Sequence, residues 1–154
     1  MSVSPLVLNP EVKANLNAGF ESVFGSQPAC YFSAPGRTEI SGNHTDHQRG
    51  RVLAGAVNLD TVAAVRVNGT NTVRIQSKGY PMSVVDLENL TPVPEEINST
   101  PALIRGVVAR FVQLGCQVEG FDAYMESTVL PGSGLSSSAA YEVLIGTIVN
   151  HLFF

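Results

Sequence analysis

The chain has 154 residues, 44% of them hydrophobic and 14% charged, and a formal net charge of −4. That length suits one domain with a real core, and its few, scattered basic residues leave no electrostatic footprint for nucleic acid or an anionic membrane. The two cysteines, Cys30 and Cys116, form no CxxC pair; with no secretory leader and no long apolar span to be read, they are expected as reduced, buried thiols and the compartment as cytoplasmic.

In chain order, Asn9-Pro10-Glu11 reads as a helix start, and Val12, Leu16, Phe20 and Val23 fall on one helical face before Gly25 ends the run. Residues 29–34 are short and apolar enough for a strand, which Pro35-Gly36 is expected to break. Residues 37–51 form the most polar stretch and carry two of the three histidines beside Asp46 and Glu39; His44, His47 and Asp46 lack the spacing of a zinc site. Residues 52–67 turn to β-branched and small apolar types, with a turn expected at Asn58. A further strand over 72–76 follows the turn Asn68-Gly69-Thr70-Asn71. Pro92 and Pro94 mark residues 86–100 as loop. Thr100-Pro101 then opens a helix whose Leu103, Val107, Phe111 and Leu114 make a stripe ending at Gly115. Residues 121–125 read as a strand.

The stretch Pro131-Gly132-Ser133-Gly134-Leu135-Ser136-Ser137-Ser138-Ala139 comes next and leads into an almost uncharged helix predicted over 135–151. Small residues at a helix mouth let backbone N–H groups approach a ligand, and the unpaired first-turn donors favour anions, so the stretch reads as a phosphate cradle. Its consecutive serine hydroxyls add oxygen ligands suited to magnesium. No lysine or arginine follows Arg110. The stretch is therefore not the loop in which a lysine reaches the phosphates, and neutralisation has to come from the dipole, a metal or a distant basic residue. A plain turn with Ser136 capping a core helix would use the same residue types. A Ser-His-Asp hydrolase would need a GxSxG elbow, whereas these serines follow Gly134-Leu135. The ending His151-Leu152-Phe153-Phe154 has no glycine cap and no polar exit, so the chain is expected to be the truncated front of a longer one.

Two separated motifs point to one family. Pro35-Gly36-Arg37-Thr38-Glu39-Ile40-Ser41-Gly42-Asn43-His44-Thr45-Asp46-His47 resembles the galactokinase signature PGRVNLIGEHTDY, and the 132–139 loop resembles the GxGLSSSA phosphate loop of the GHMP small-molecule kinases. Between them, Ile104-Arg105-Gly106-Val107-Val108 is similar to the RGVV helix of bacterial galactokinases. The likeness runs along the whole chain but covers only the family's N-terminal portion. It implies ATP-dependent phosphorylation of the anomeric hydroxyl of galactose, with ATP and Mg2+ as cofactors and galactose and ATP as the small-molecule partners. By the same resemblance Arg37 stabilises the transferred phosphoryl group, and Asn43, His44, Thr45 and Asp46 contact sugar hydroxyls. Gly132, Ser133, Gly134, Leu135, Ser136, Ser137 and Ser138 surround the phosphates, with Ser138 as magnesium ligand and Ser77 as a further nucleotide contact.

These residue types suit that chemistry. Phosphoryl transfer asks mainly for positioning and charge stabilisation, which a fixed guanidinium supplies, and a sugar's hydroxyls match Asp46 and His44 as acceptor and donor. The chain also departs from the pattern. Asn43 stands for the family glutamate, so a hydrogen bond to a charged group, about 1.5–3 kcal/mol, becomes a neutral one near ~1 kcal/mol. Glu39 replaces an asparagine, Ser41 an isoleucine and His47 a tyrosine.

The implied fold is α+β, the GHMP kinase N-terminal domain of the ribosomal protein S5 domain 2-like kind, a mainly antiparallel sheet covered by helices. Residues 1–51 would be the sugar-signature region and 52–154 the nucleotide-binding part, with the C-terminal domain absent. The family's catalytic aspartate lies downstream of the serine loop, so this chain alone is expected to show little turnover. Exposed apolar surface is expected to promote self-association. Two other readings stay open: a GHMP kinase acting on another sugar or small alcohol, and a non-catalytic sensor that binds sugar and ATP.

Overall fold

The computed structural model describes residues 8–42 and 49–154. Asn9 starts the first helix, α1 (Pro10–Phe24), by accepting the Glu11 N–H at 2.9 Å, and Gly25 ends it in a left-handed conformation at φ 68°. Leu16 and Phe20 are its fully buried residues.

The next strand, β1 (Cys30–Ser41), runs straight through Pro35-Gly36, where a break was expected. It survives because β1 is an edge strand, where a proline removes no needed ladder bond, and because the irregularity is absorbed as a bulge. Pro35 faces Asp60 and Arg37 faces Ala56, so the ladder to β2 (Leu53–Val67) shifts register between them. The turn expected at Asn58 is absent for the same reason: residues 57–59 lie in the irregular part of one continuous strand.

The remaining strands are β3 (Thr72–Ser77), β4 (Ser83–Asp86) and β5 (Phe121–Ser127), and the sheet order is β1-β2-β5-β3-β4. All neighbours are antiparallel except β3 and β5. Their parallel pairing is reached by a crossover through β4, a 3-10 turn at Pro94–Glu96 and helix α2 (Thr100–Gln113). β4 fell in a segment that the sequence left unassigned. A four-residue edge strand is too short to show an alternation.

Helices cover both faces. Leu16 and Phe20 of α1 pack on Val62, Ala64 and Tyr124 from one side. On the other side α2 and the last helix, α3 (Ser137–Phe153), bury Ile104, Val108, Leu144, Ile145 and Ile148 against Ala63, Val65, Ala123 and Met125. Covered on both faces, the second half of β2 and most of β5 are buried residue after residue, which is why they read as apolar runs broken only by Thr61 and Asp122.

The face of α2 is rotated from the predicted stripe. Ile104 and Val108 are fully buried, while Leu114 is more than half exposed. The rotation buries Arg105 as well, whose guanidinium forks onto Glu96 at 2.8 and 2.9 Å and also donates to the Asn89 carbonyl. Cys30 and Cys116 are unpaired thiols, the second buried. Among the described residues no helix is long and apolar enough to cross a membrane.

Candidate functional site

The site is assembled where β5 ends. Thr128 holds the exit from β5 against β2: its N–H and hydroxyl both donate to the Asp60 carbonyl, at 2.9 and 3.1 Å, and its hydroxyl accepts the Asp60 N–H at 3.0 Å. The buried Thr61 hydroxyl shares a 2.7 Å hydrogen bond with that of Ser127, which in turn accepts the Val129 N–H. The backbone beyond is thus launched from a fixed point.

Residues 131–136 then turn back toward β1. The Arg37 N–H donates to the Leu135 carbonyl at 3.2 Å, and Gly36 beneath it leaves little room for a side chain. A Cβ there would lie 3.0 Å from the Leu135 oxygen and 3.1 Å from a Val129 methyl. The Pro-Gly-Arg segment and the serine loop, far apart in sequence, are therefore in direct contact.

Gly132, Gly134 and Ser136 have φ of 75°, 76° and 58°. Left-handed residues alternating with ordinary ones form the kind of concavity that gathers backbone N–H groups around an anion. For Ser136 that conformation carries strain, of the sort found at ligand-binding turns. Ser136 occupies the position before α3, yet its side chain makes no capping hydrogen bond, so the reading of it as an ordinary cap does not hold. Ser133 is turned back, its hydroxyl donating to the Leu130 carbonyl at 2.6 Å.

A cavity of about 390 Å³ opens beside this loop and takes in Ser77, Lys78, Glu126, Ser137, Ser138 and Tyr141. Apolar side chains, Tyr80, Pro81, Met125 and Leu130, line it as well. Among the polar ones, Lys78, Glu126 and Tyr141 were not singled out from the sequence. Lys78 is paired with Glu126 at 3.2 Å and supplies the basic group that the stretch after Arg110 lacks. The signal for it was its place directly after Ser77. Tyr141 lay inside a run read as core. Burial pushes its hydroxyl pKa up to about 12, an effect that neighbouring Ser77 offsets in part.

Arg37 itself is half-exposed, with Nη2 3.1 Å from Oε1 of Glu39. The two side chains share a face of β1, being two residues apart. Asn43, His44, Thr45 and Asp46, expected to meet the sugar, lie outside the described residues, as does His47.

The arrangement fits a nucleotide and its magnesium on structural grounds. The first-turn N–H groups of α3 have no side-chain cap, serine hydroxyls line the cavity, and a buried tyrosine hydroxyl in the same wall lacks a partner.

Comparison with known proteins gives two family matches. The galactokinase galactose-binding signature matches residues 18–67, and the GHMP kinases N terminal domain matches residues 102–154. A galactokinase of Lacticaseibacillus paracasei is 33% identical over 141 residues, covering 90% of this chain and 36% of that protein. One of Streptomyces coelicolor is 32% identical, covering 92% of this chain and 37% of that protein. A crystal structure of Lactococcus lactis galactokinase complexed with galactose superposes with a TM-score of 0.81 at 27% identity, over 92% of this chain and 37% of that one. The mevalonate kinase of Methanococcus jannaschii shares the fold alone, with a TM-score of 0.65 at 14% identity over 83% of this chain and 41% of that one. The chain spans a little over a third of the length of the curated relatives it matches.

Proposed function

The chain belongs to the galactokinase family of GHMP kinases, matching their N-terminal portion, and on that premise we propose that the protein it represents transfers the γ-phosphoryl group of ATP to the anomeric hydroxyl of galactose. The products are ADP and galactose 1-phosphate. The observation that carries this reading is the 3.2 Å hydrogen bond from Arg37 N–H to the Leu135 carbonyl. It brings the guanidinium-bearing strand and the phosphate-type loop to one place, as a transfer between two bound substrates requires.

On this reading the loop 132–138 cradles the phosphates through backbone N–H groups, and Ser77 and Lys78 line the adjoining cavity. Ser138 is the residue through which the chain would hold Mg2+, which would supply positive charge to offset that of the phosphates. Arg37 stabilises charge on the transferred group, and Asn43, His44, Thr45 and Asp46 orient the sugar. Residues 1–51 then serve the sugar end and residues 52–154 the nucleotide end. The aspartate that the family uses as base lies past the serine loop, in the part of its relatives that this chain does not span. The same reading places the protein in the cytoplasm and has the chain self-associate through exposed apolar side chains such as Ile40 and Leu53.

One observation favours a second reading, that of a sugar and nucleotide sensor. The Arg37 guanidinium already holds a carboxylate, that of Glu39, which lowers its value to a transferring phosphate. A coupled assay with ATP and galactose on the full-length protein, beside galactose binding to the 154-residue chain, separates the two. Turnover with galactose and binding by the chain are expected. Binding of both ligands by the full-length protein without turnover would leave the sensor, and turnover only with another sugar or alcohol would reassign the substrate.

A further inference from the structure

Within the proposed nucleotide site one side chain is not satisfied by its surroundings. The Tyr141 hydroxyl is buried and has no hydrogen-bond partner. Ser77 lies near enough to weigh on its titration, yet the two hydroxyls do not meet hydrogen-bond geometry. Tyr141 lines two openings, the 390 Å³ cavity beside the serine loop and a second hollow against the start of α2, lined also by Asn98, Ser99, Thr100, Leu103 and Ser138.

A buried polar group without a partner destabilises the fold that contains it, whereas a phenylalanine of the same shape would pack there at no such cost. A native structure that keeps such a group calls for a reason, and a ligand that completes it is one. The walls around Tyr141 say what that ligand looks like. Ser137, Ser138 and Lys78 suit an anionic tail, while Tyr80, Pro81, Met125 and Leu130 in the same lining suit a flat apolar ring. With its pKa pushed up to about 12 by burial, the phenol is a donor throughout the physiological range.

We propose that the Tyr141 hydroxyl is held in reserve as a hydrogen-bond donor to an oxygen of the nucleotide bound in this cavity, so that the free chain gives up some stability in exchange for affinity. The proposal rests on the nucleotide reading above and adds to it a residue that the phosphate loop does not include.

The test is Tyr141→Phe in the 154-residue chain, read in two ways that should move in opposite directions. The unfolding midpoint of the ligand-free variant should rise by a few degrees, and its dissociation constant for ADP, from calorimetry, should weaken about five- to tenfold. Pyrophosphate as a second probe locates the acceptor: weakened pyrophosphate binding puts it in the phosphate tail, unchanged binding in the nucleoside. A lower midpoint would show that the hydroxyl serves the fold, and an unchanged ADP affinity would show that it does not touch the ligand; either overturns the proposal. Unaltered ADP binding by the variant leaves the nucleotide reading standing, whereas a wild-type chain that binds neither ADP nor pyrophosphate sinks both.

Discussion

Glu39, at the position where the family signature has asparagine, holds its carboxylate 3.1 Å from the Arg37 guanidinium. A partly exposed pair of this kind contributes about 0–1 kcal/mol, and a phosphate bound as proposed would have to compete with it for the same donors. Replacing Glu39 by asparagine or glutamine should therefore tighten pyrophosphate binding about two- to fivefold, measured by calorimetry. A weaker affinity would mean instead that Glu39 aims the arginine. The loop serines could be picked out in advance because glycine and serine at a helix mouth have a mechanical meaning of their own, and Arg37 because its segment resembles the galactokinase signature. The ion pair could not, since two charges two residues apart on a strand indicate a shared face and say nothing about contact. Tyr141 escaped for a related reason: an aromatic residue in an apolar helical run is ordinarily core, and only its three-dimensional setting shows a hydroxyl without a partner.

At the level of elements, the segment joining β4 to α2 is held by one buried side chain. The Arg105 fork on Glu96 closes it from inside, and the hydrogen bond from Arg105 holds the Glu96 carboxyl below its ordinary value of 4.5. A depressed carboxyl stabilises the folded state above its unfolded pKa and loses that contribution as pH falls through the folded one. The contribution should therefore be complete above about pH 4.5 and disappear below it, and Arg105→Met should abolish this part of the pH dependence. The same variant should lose about 1–3 kcal/mol at neutral pH, with hydrogen exchange accelerated first over residues 89–97. The helix start was legible here from Thr100-Pro101, although the side chain that caps α2 is that of Ser99, one residue earlier, which accepts the Ala102 N–H. The inward face was not legible. A pattern count treats arginine as a solvent residue, so burial of Arg105 turns the helix away from the Leu103-to-Leu114 stripe. β1 was misjudged in the same spirit, because the break expected at Pro35-Gly36 assumed an interior strand and the structure places it at an edge.

For the whole molecule, a sheet covered by α1 on one face and by α2 and α3 on the other accounts for most of what the apolar pattern announced. The order of its strands was not announced. The parallel pairing of β3 with β5 depends on contacts between segments some fifty residues apart, which no local pattern encodes. That order has a practical result at the end of the sheet, where the Arg37 N–H reaches the Leu135 carbonyl. The strand leading toward residues 43–46 and the bend that would grip a triphosphate are joined by a peptide-to-peptide link, so a displacement of one is felt by the other. Occupancy of either pocket should then alter the affinity of its neighbour, and thermodynamic reciprocity demands an identical ratio in both directions. Galactose titrations with and without saturating ADP, set beside ADP titrations with and without galactose, should give matching ratios different from one. Gly36→Ala, which pushes a methyl group toward the Leu135 oxygen, should bring both ratios to unity and leave two hollows that no longer communicate.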